Sequence, residues 1–255
     1  MNISGNTVFI PGATSGIGLA LATRLHAAGN TVIVGGRRAD VLEQIARDHP
    51  GIDTIVIDTT VPSSILDAAR DVIARHPDLN VLIPMAGIMR AEDWTSAGFL
   101  DTAEETVTTN LLGPIRLIAA FIDQLTSRPG ATILTVSSGL AFTPLRVTPT
   151  YNATKAAIHM LSESIRLQLA GTGVQVQELV PPAVRTTLMP GHETSAVAMP
   201  LDAFADEVMT LLSTQPGATE IQVESVKFLR YAETRGEYPA VVEALNAADP
   251  HNARP

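Results

Sequence analysis

Short runs of β-branched and aliphatic residues alternate with longer amphipathic stretches along the chain, and that alternation leaves few architectures open. The runs at 7–10, 31–34, 53–57, 81–84, 132–136, 174–180 and 220–223 read as strands. Between them, apolar residues recur at helical spacing over 16–28, 40–48, 63–75, 102–127, 151–170 and 202–213. Strands that are almost continuously apolar are buried on both faces. In an alternating β/α order, that means a parallel sheet covered by helices on each side. The expectation is one doubly wound α/β domain over residues 1–255, with ligands at the carboxyl ends of the strands. No repeat, low-complexity segment or interdomain linker interrupts the pattern. Residues 181–200 depart from it, with four prolines and few periodic apolar positions. A long loop at a strand end suits a substrate lid, expected here near 182–200. Residues 249–255 are polar and proline-bounded and are expected to fray.

Apolar residues make up 45% of the chain, enough for a substantial core. A formal net charge of −9 argues against nucleic acid or an anionic membrane as partner, because both call for a basic surface. The absence of cysteine removes disulfides, thiol catalysis and Cys-ligated zinc. The six histidines form no H-x-x-x-H or His/carboxylate cluster, so no catalytic metal is expected. The first residues lack a basic segment followed by an apolar one, and no apolar run reaches the ~18–20 residues a bilayer requires. Residues 111–122 come nearest but are broken by Pro114 and Arg116. The expectation is a soluble cytoplasmic protein.

Directly after the first strand stands Pro11-Gly12-Ala13-Thr14-Ser15-Gly16-Ile17-Gly18, opening the first helix. Glycines at such a turn let the backbone approach a pyrophosphate, which the helix N-terminus attracts through its N–H groups and dipole. The second strand ends at Gly35-Gly36-Arg37-Arg38, with no acid before Asp40. A nicotinamide dinucleotide with a bare ribose 2′-hydroxyl is usually held by an acid there. Two arginines instead suit a 2′-phosphate, favouring NADP(H) while leaving NAD(H) open.

Tyr151 and Lys155 are four residues apart on one helical face, and Ser138 precedes Tyr151 by thirteen residues. A tyrosine of pKa about 10 is a poor proton donor at neutral pH. A neighbouring ammonium is expected to stabilise the phenolate and lower that pKa, while a serine hydroxyl holds the substrate oxygen. The apolar faces of 102–127 and 151–170 exceed what covering a sheet requires, which points to a homodimer or homotetramer.

These pieces, in this order, resemble the short-chain dehydrogenase/reductase family over nearly the whole chain. The resemblance implies a seven-stranded Rossmann sheet ordered 3-2-1-4-5-6-7 and hydride exchange with a small carbonyl/alcohol substrate. It places Asn110, in Asn110-Leu111-Leu112-Gly113, beside Ser138, Tyr151 and Lys155 as catalytic residues. Asn110 would hold a water linking Lys155 to solvent, and Lys155 would also bind the nicotinamide ribose. Cofactor contacts would come from Gly12, Thr14, Ser15, Gly16, Ile17, Gly18, Arg37 and Arg38, and from Asp58 and Thr59 on the adenine side. Met85, Ala86 and Gly87 would follow, then Tyr151, Lys155, Pro181, Val184 and Thr186.

Three positions depart from the family pattern: Pro11 before the glycine turn, Pro84-Met85 in place of two asparagines, and Pro182 in place of glycine. The pattern Ser138-Gly139-Leu140-Ala141-Phe142 with Val180-Pro181-Pro182 is similar to a bacterial branch often labelled after D-alanine esterification. Two other functions fit the same frame: a dinucleotide-binding scaffold that has lost turnover, and isomerisation or dehydration. Met85, Met89, Trp94, Phe142 and Met189 suit either a hydrophobic substrate pocket or plain core. His192 reads as a solvent-exposed lid residue.

Overall fold

A computed structural model of the protein describes residues 1–248; the tail expected to fray lies outside the described residues. Seven strands form: β1 (Thr7–Pro11), β2 (Thr31–Gly36), β3 (Ile52–Val56), β4 (Val81–Leu82), β5 (Thr132–Val136), β6 (Gln175–Val180) and β7 (Glu220–Gln222). They pair in parallel in the order β3-β2-β1-β4-β5-β6-β7, as expected. The helices are α1 (Gly16–Ala27), α2 (Ala39–Asp48), α3 (Pro62–Arg75), α4 (Leu100–Val107), α5 (Gly113–Thr126), α6 (Pro149–Gln168), α7 (Leu201–Thr214), α8 (Lys227–Arg230) and α9 (Tyr238–Ala247).

Strand alternation divides the core between the two faces of the sheet. Val8 and Ile10 join Leu21, Leu25, Phe204 and Val208, from α1 and α7, in one cluster. Phe9, between them, points the other way and packs with Val72, Leu117 and Phe121, from α3 and α5, its ring centroid 5.3 Å from that of Phe121. Burying each such side chain contributes about 1.5–3 kcal/mol. The contact of α6 with the sheet is different in kind, with Thr135 and Ser162 joined hydroxyl to hydroxyl at 2.7 Å beneath it.

Three elements differ from the sequence expectation. Strand β4 closes at Leu82 rather than at 84, because Pro84 lacks an N–H to continue the ladder. The helix expected over 102–127 is divided into α4 and α5 by a π-helical turn, Thr108–Leu112. Pro114 cannot donate to the Asn110 carbonyl, and the backbone accommodates this by widening one turn. Helices α8 and α9 were not anticipated. Among the described residues, no helix is long and apolar enough to cross a membrane.

Candidate active site

Strand β1 feeds a turn whose glycines are dictated by close approach. Gly12 has φ +93°, and a Cβ there would lie 2.3 Å from the Ala86 backbone nitrogen, where the loop after β4 crosses. That crossing is tied by the N–H groups of Met85 and Ala86, both donating to the Pro11 carbonyl at 3.0 Å. Backbone bonds thus join the two strand ends where the family pattern has asparagine side chains. Ser15 stands at the N-cap of α1, its side chain making no capping hydrogen bond. The N–H groups of Gly16, Ile17 and Gly18 have no partner within the helix. They open onto a cavity of about 640 Å³ that Gly12, Ser15, Met85 and Gly87 also line. A donor-rich helix end without obstructing side chains fits a dinucleotide pyrophosphate.

Ser138 follows β5, and Tyr151 and Lys155 enter the same cavity from α6. The Ser138 hydroxyl accepts a hydrogen bond from the Leu140 N–H at 3.1 Å. The Tyr151 ring is packed among Met89, Leu145 and Met189. The Lys155 ammonium lies 5.5 Å from that ring's centroid but donates to the Val136 carbonyl at 2.9 Å, not to the phenol. Burial pushes the Tyr151 phenol up to about 12, with the Ser138 hydroxyl pulling only partly the other way. Burial also pushes Lys155 down to about 8, against the charge of Glu178. The expected lowering of the phenol pKa is therefore corrected: burial outweighs the Ser138 hydrogen bond, and the Lys155 ammonium is turned to the Val136 carbonyl.

Asn110 occupies the π turn and clamps the loop after β4. Its Oδ1 accepts from the Ile88 N–H and its Nδ2 donates to the Ile88 carbonyl, both at 2.9 Å. The same Nδ2 is 3.4 Å from the Thr154 hydroxyl on α6. Farther along that loop, Glu92 accepts from the Thr150 N–H at 3.2 Å and the Thr150 hydroxyl at 2.8 Å. A carboxylate there satisfies the first turn of α6 and matches its dipole, fixing the helix that carries Tyr151. Nothing in the spacing of the sequence pointed to Glu92.

Arg37, Arg38, Asp58 and Thr59 cluster at the ends of β2 and β3, outside the cavity lining. Arg37 is exposed, and Arg38 donates to the Thr14 hydroxyl at 3.2 Å. Burial alone would raise Asp58, yet donors from Thr60 and the Arg37 charge hold its carboxyl below the usual range. Thr59 is buried, with its carbonyl against Gly113 at the start of α5. A Cβ on Gly36 would lie 2.3 Å from Thr14 Cγ2, so this glycine answers first to the packing of Thr14.

Pro181, Val184 and Thr186 line the cavity from the segment after β6. That segment doubles back on itself: Arg185 N–H donates to the Met199 carbonyl and Met199 N–H to the Ala183 carbonyl, both at 2.9 Å. Thr186 reaches over the α1 end, its Cγ2 3.3 Å from where a Gly16 Cβ would stand. His192 is half-buried and lines the cavity, correcting the exposed position expected for it. Met85 and Met89 face the cavity, whereas Phe142 and Met189 are absent from its lining. Trp94 is 57% exposed and stacks on Phe99 instead. Leu229 from α8, Leu245 from α9 and Ala248 complete an apolar wall that the sequence reading missed. Helix α8 is too short to announce itself by periodicity.

Comparison with known proteins agrees with this geometry. The profile of the family described as short chain dehydrogenase matches residues 6–196. A Bacillus subtilis (strain 168) protein named "Uncharacterized oxidoreductase DltE" is 37% identical over 254 residues, covering 98% of this chain and 100% of that protein. A short chain dehydrogenase from Burkholderia cenocepacia J2315, solved in complex with NADP, superposes with a TM-score of 0.79 at 25% identity, covering 100% of both chains. An alcohol dehydrogenase from Thermococcus sibiricus, complexed with 5-hydroxy-NADP, gives 0.77 at 26% identity, covering 86% of this chain and 96% of that one.

Proposed function

Because the chain belongs to the short-chain dehydrogenase family and is an NAD(P)-dependent oxidoreductase, we propose that it interconverts a carbonyl and an alcohol with NADP(H), Tyr151 serving as general acid/base. The observation that carries this reading is the convergence of Ser138, Tyr151 and Lys155 on the cavity that the α1 N-terminus opens into. The dinucleotide supplies the hydride in reduction and accepts it in oxidation. Gly16, Ile17 and Gly18 would hold the pyrophosphate through their N–H groups, and Lys155 the nicotinamide ribose. Val184 and Thr186 would close over the nicotinamide. In reduction, Ser138 donates a hydrogen bond to the substrate oxygen and Tyr151 gives that oxygen its proton. Lys155 stabilises the phenolate that remains. Asn110 keeps the Ile88 loop and α6 in register for this, and would hold the water through which Lys155 reaches solvent.

The preference for NADP(H) is supported by Arg37 and Arg38 at the end of β2 without a preceding acid. The NADP and 5-hydroxy-NADP complexes of the Burkholderia and Thermococcus proteins point the same way. The substrate carries an uncharged, apolar group. Leu140, Leu145, Leu229 and Leu245 line the cavity beside the reacting groups, and Arg90, which also lines it, is engaged by Glu105 at 3.0 Å. Residues 182–200 act as a lid over this space. Met160 and Leu167, 60% and 79% exposed on α6, together with Ile115 on α5, form the surface of a homodimer or homotetramer.

A panel of aliphatic and aromatic aldehydes and ketones, assayed with NADPH and NADH, tests the reading. Apolar carbonyls should be reduced with kcat/KM about 10- to 100-fold higher for NADPH, which corresponds to a charge-assisted contact of roughly 1.5–3 kcal/mol. Equal efficiency with both cofactors would overturn the arginine assignment. Cofactor binding without turnover across the panel would favour a non-catalytic dinucleotide-binding protein.

A further inference from the structure

Strand β6 is covered on both faces, yet it carries Gln177 and Glu178, each 0% exposed. Gln177 is satisfied, its amide donating to the Ala218 carbonyl at 2.7 Å. Glu178 is harder to account for, since a buried carboxyl costs several kcal/mol unless it is paired. Its Oε2 lies 2.9 Å from His159 Nδ1, while its Oε1 has no hydrogen-bond partner among the described residues. The Ser137 hydroxyl lies against the carboxyl without a well-formed hydrogen bond.

The position of this pair relative to the reacting groups is informative. His159 sits one turn beyond Lys155 on α6, as Lys155 sits one turn beyond Tyr151. Lys155 is anchored to the carbonyl of Val136, the ladder partner of Leu179, immediately after Glu178. The other charged groups around Glu178 are its ladder partner Glu220 on β7 and Arg230 on α8. Those two are engaged with each other through two contacts of 2.8 Å. Burial pushes the Glu178 carboxyl up, with the His159 contact pulling the other way; Lys155 is then the ammonium that its charge acts on from the α6 side.

We propose that Glu178, oriented by His159, is a positioning residue that holds Lys155 as an ammonium at the end of β5, where Tyr151 requires it. Glu178 does not touch substrate or cofactor; it acts through Lys155, and the inference rests on the reading of Tyr151 and Lys155 as the proton-transfer pair. The carboxylate offsets part of the burial that drives Lys155 toward its neutral form.

The chain contains two lysines, Lys155 and Lys227, so lysine labelled with ¹³C at Cε gives an NMR titration of two signals, assigned by Lys227→Arg. In Glu178→Gln, the Lys155 midpoint should fall by about one unit, while that of Lys227 stays in place. The alkaline limb of the kcat profile should move down in pH by the same amount. His159→Gln should displace both in the same direction by less, and it carries the test if Glu178→Gln does not fold. A Lys155 midpoint unchanged in both variants would overturn the proposal. Absence of carbonyl reduction by the unmutated protein would overturn the functional reading instead, with the NMR titration still deciding the role of Glu178.

Discussion

Gly36 shows how a single position can answer to a constraint that the sequence does not display. The sequence presents it as a place where an acid is missing, leaving room for a phosphate. The structure shows the Thr14 methyl against its Cα, so any side chain there must displace Thr14 and the hydrogen bond it accepts from Arg38. Gly36→Ala should therefore destabilise the fold by about 1–3 kcal/mol, as overpacking does. Adding Thr14→Ala should recover most of that loss in a double-mutant cycle by urea denaturation; strict additivity would refute the contact. Tyr151 is the converse case, since its spacing to Lys155 was readable while the sign of its pKa shift was not. Spacing says which groups meet; burial decides which protonation state they favour. Tyr151→Phe should lower kcat by about 10²–10⁴-fold with cofactor affinity nearly unchanged, measured by turnover and by fluorescence titration of NADPH. A variant keeping more than about a tenth of the activity would remove the phenol from the mechanism.

Most of the longer helices were legible because periodicity needs two or three turns to show itself, and the strands because their apolar runs are bounded by turn residues. All seven strands, β4 two residues shorter than expected, and the helices α1, α2, α3, α6 and α7 fall close to where the alternating pattern puts them. The four-residue α8 and the π turn carry too little pattern to read. The π turn follows from Pro114, yet a proline alone does not say whether a helix will kink, break or widen. Residues 181–200 were readable as an interruption but not as a folded one, because the Val184–Met199 bridge joins positions fifteen apart. If this segment is a lid, adding NADP(H) should slow amide hydrogen exchange over 186–195, where Thr186 meets the α1 end. Exchange that is identical with and without cofactor would make it a passive loop.

Across the molecule, acidic composition and an apolar core set the background on which one buried cation stands out. Lys155 is displaced from 10.5 to about 8, so the folded state sheds its proton before the unfolded chain does. Between those values the unfolded chain holds more protons, and stability rises with pH. The effect is on the order of 3 kcal/mol, complete above about 10.5 and absent below about 8. Denaturation of the unmutated protein and of Lys155→Met between pH 7 and 11 should thus give curves that diverge by this amount in favour of the lysine. Parallel curves would mean that Lys155 is solvated. A different consequence follows from where the cavity wall comes from. Ser138, Tyr151 and Lys155 lie within residues 6–196, the stretch shared with the family profile, whereas Leu229, Leu245 and Ala248 lie beyond it. The wall is thus assembled from two lengths of chain, Leu140 and Leu145 from within the shared stretch and Leu229, Leu245 and Ala248 from beyond it. Substitutions at Leu229 and Leu245 would reshape one side of the cavity while leaving Ser138, Tyr151 and Lys155 in place.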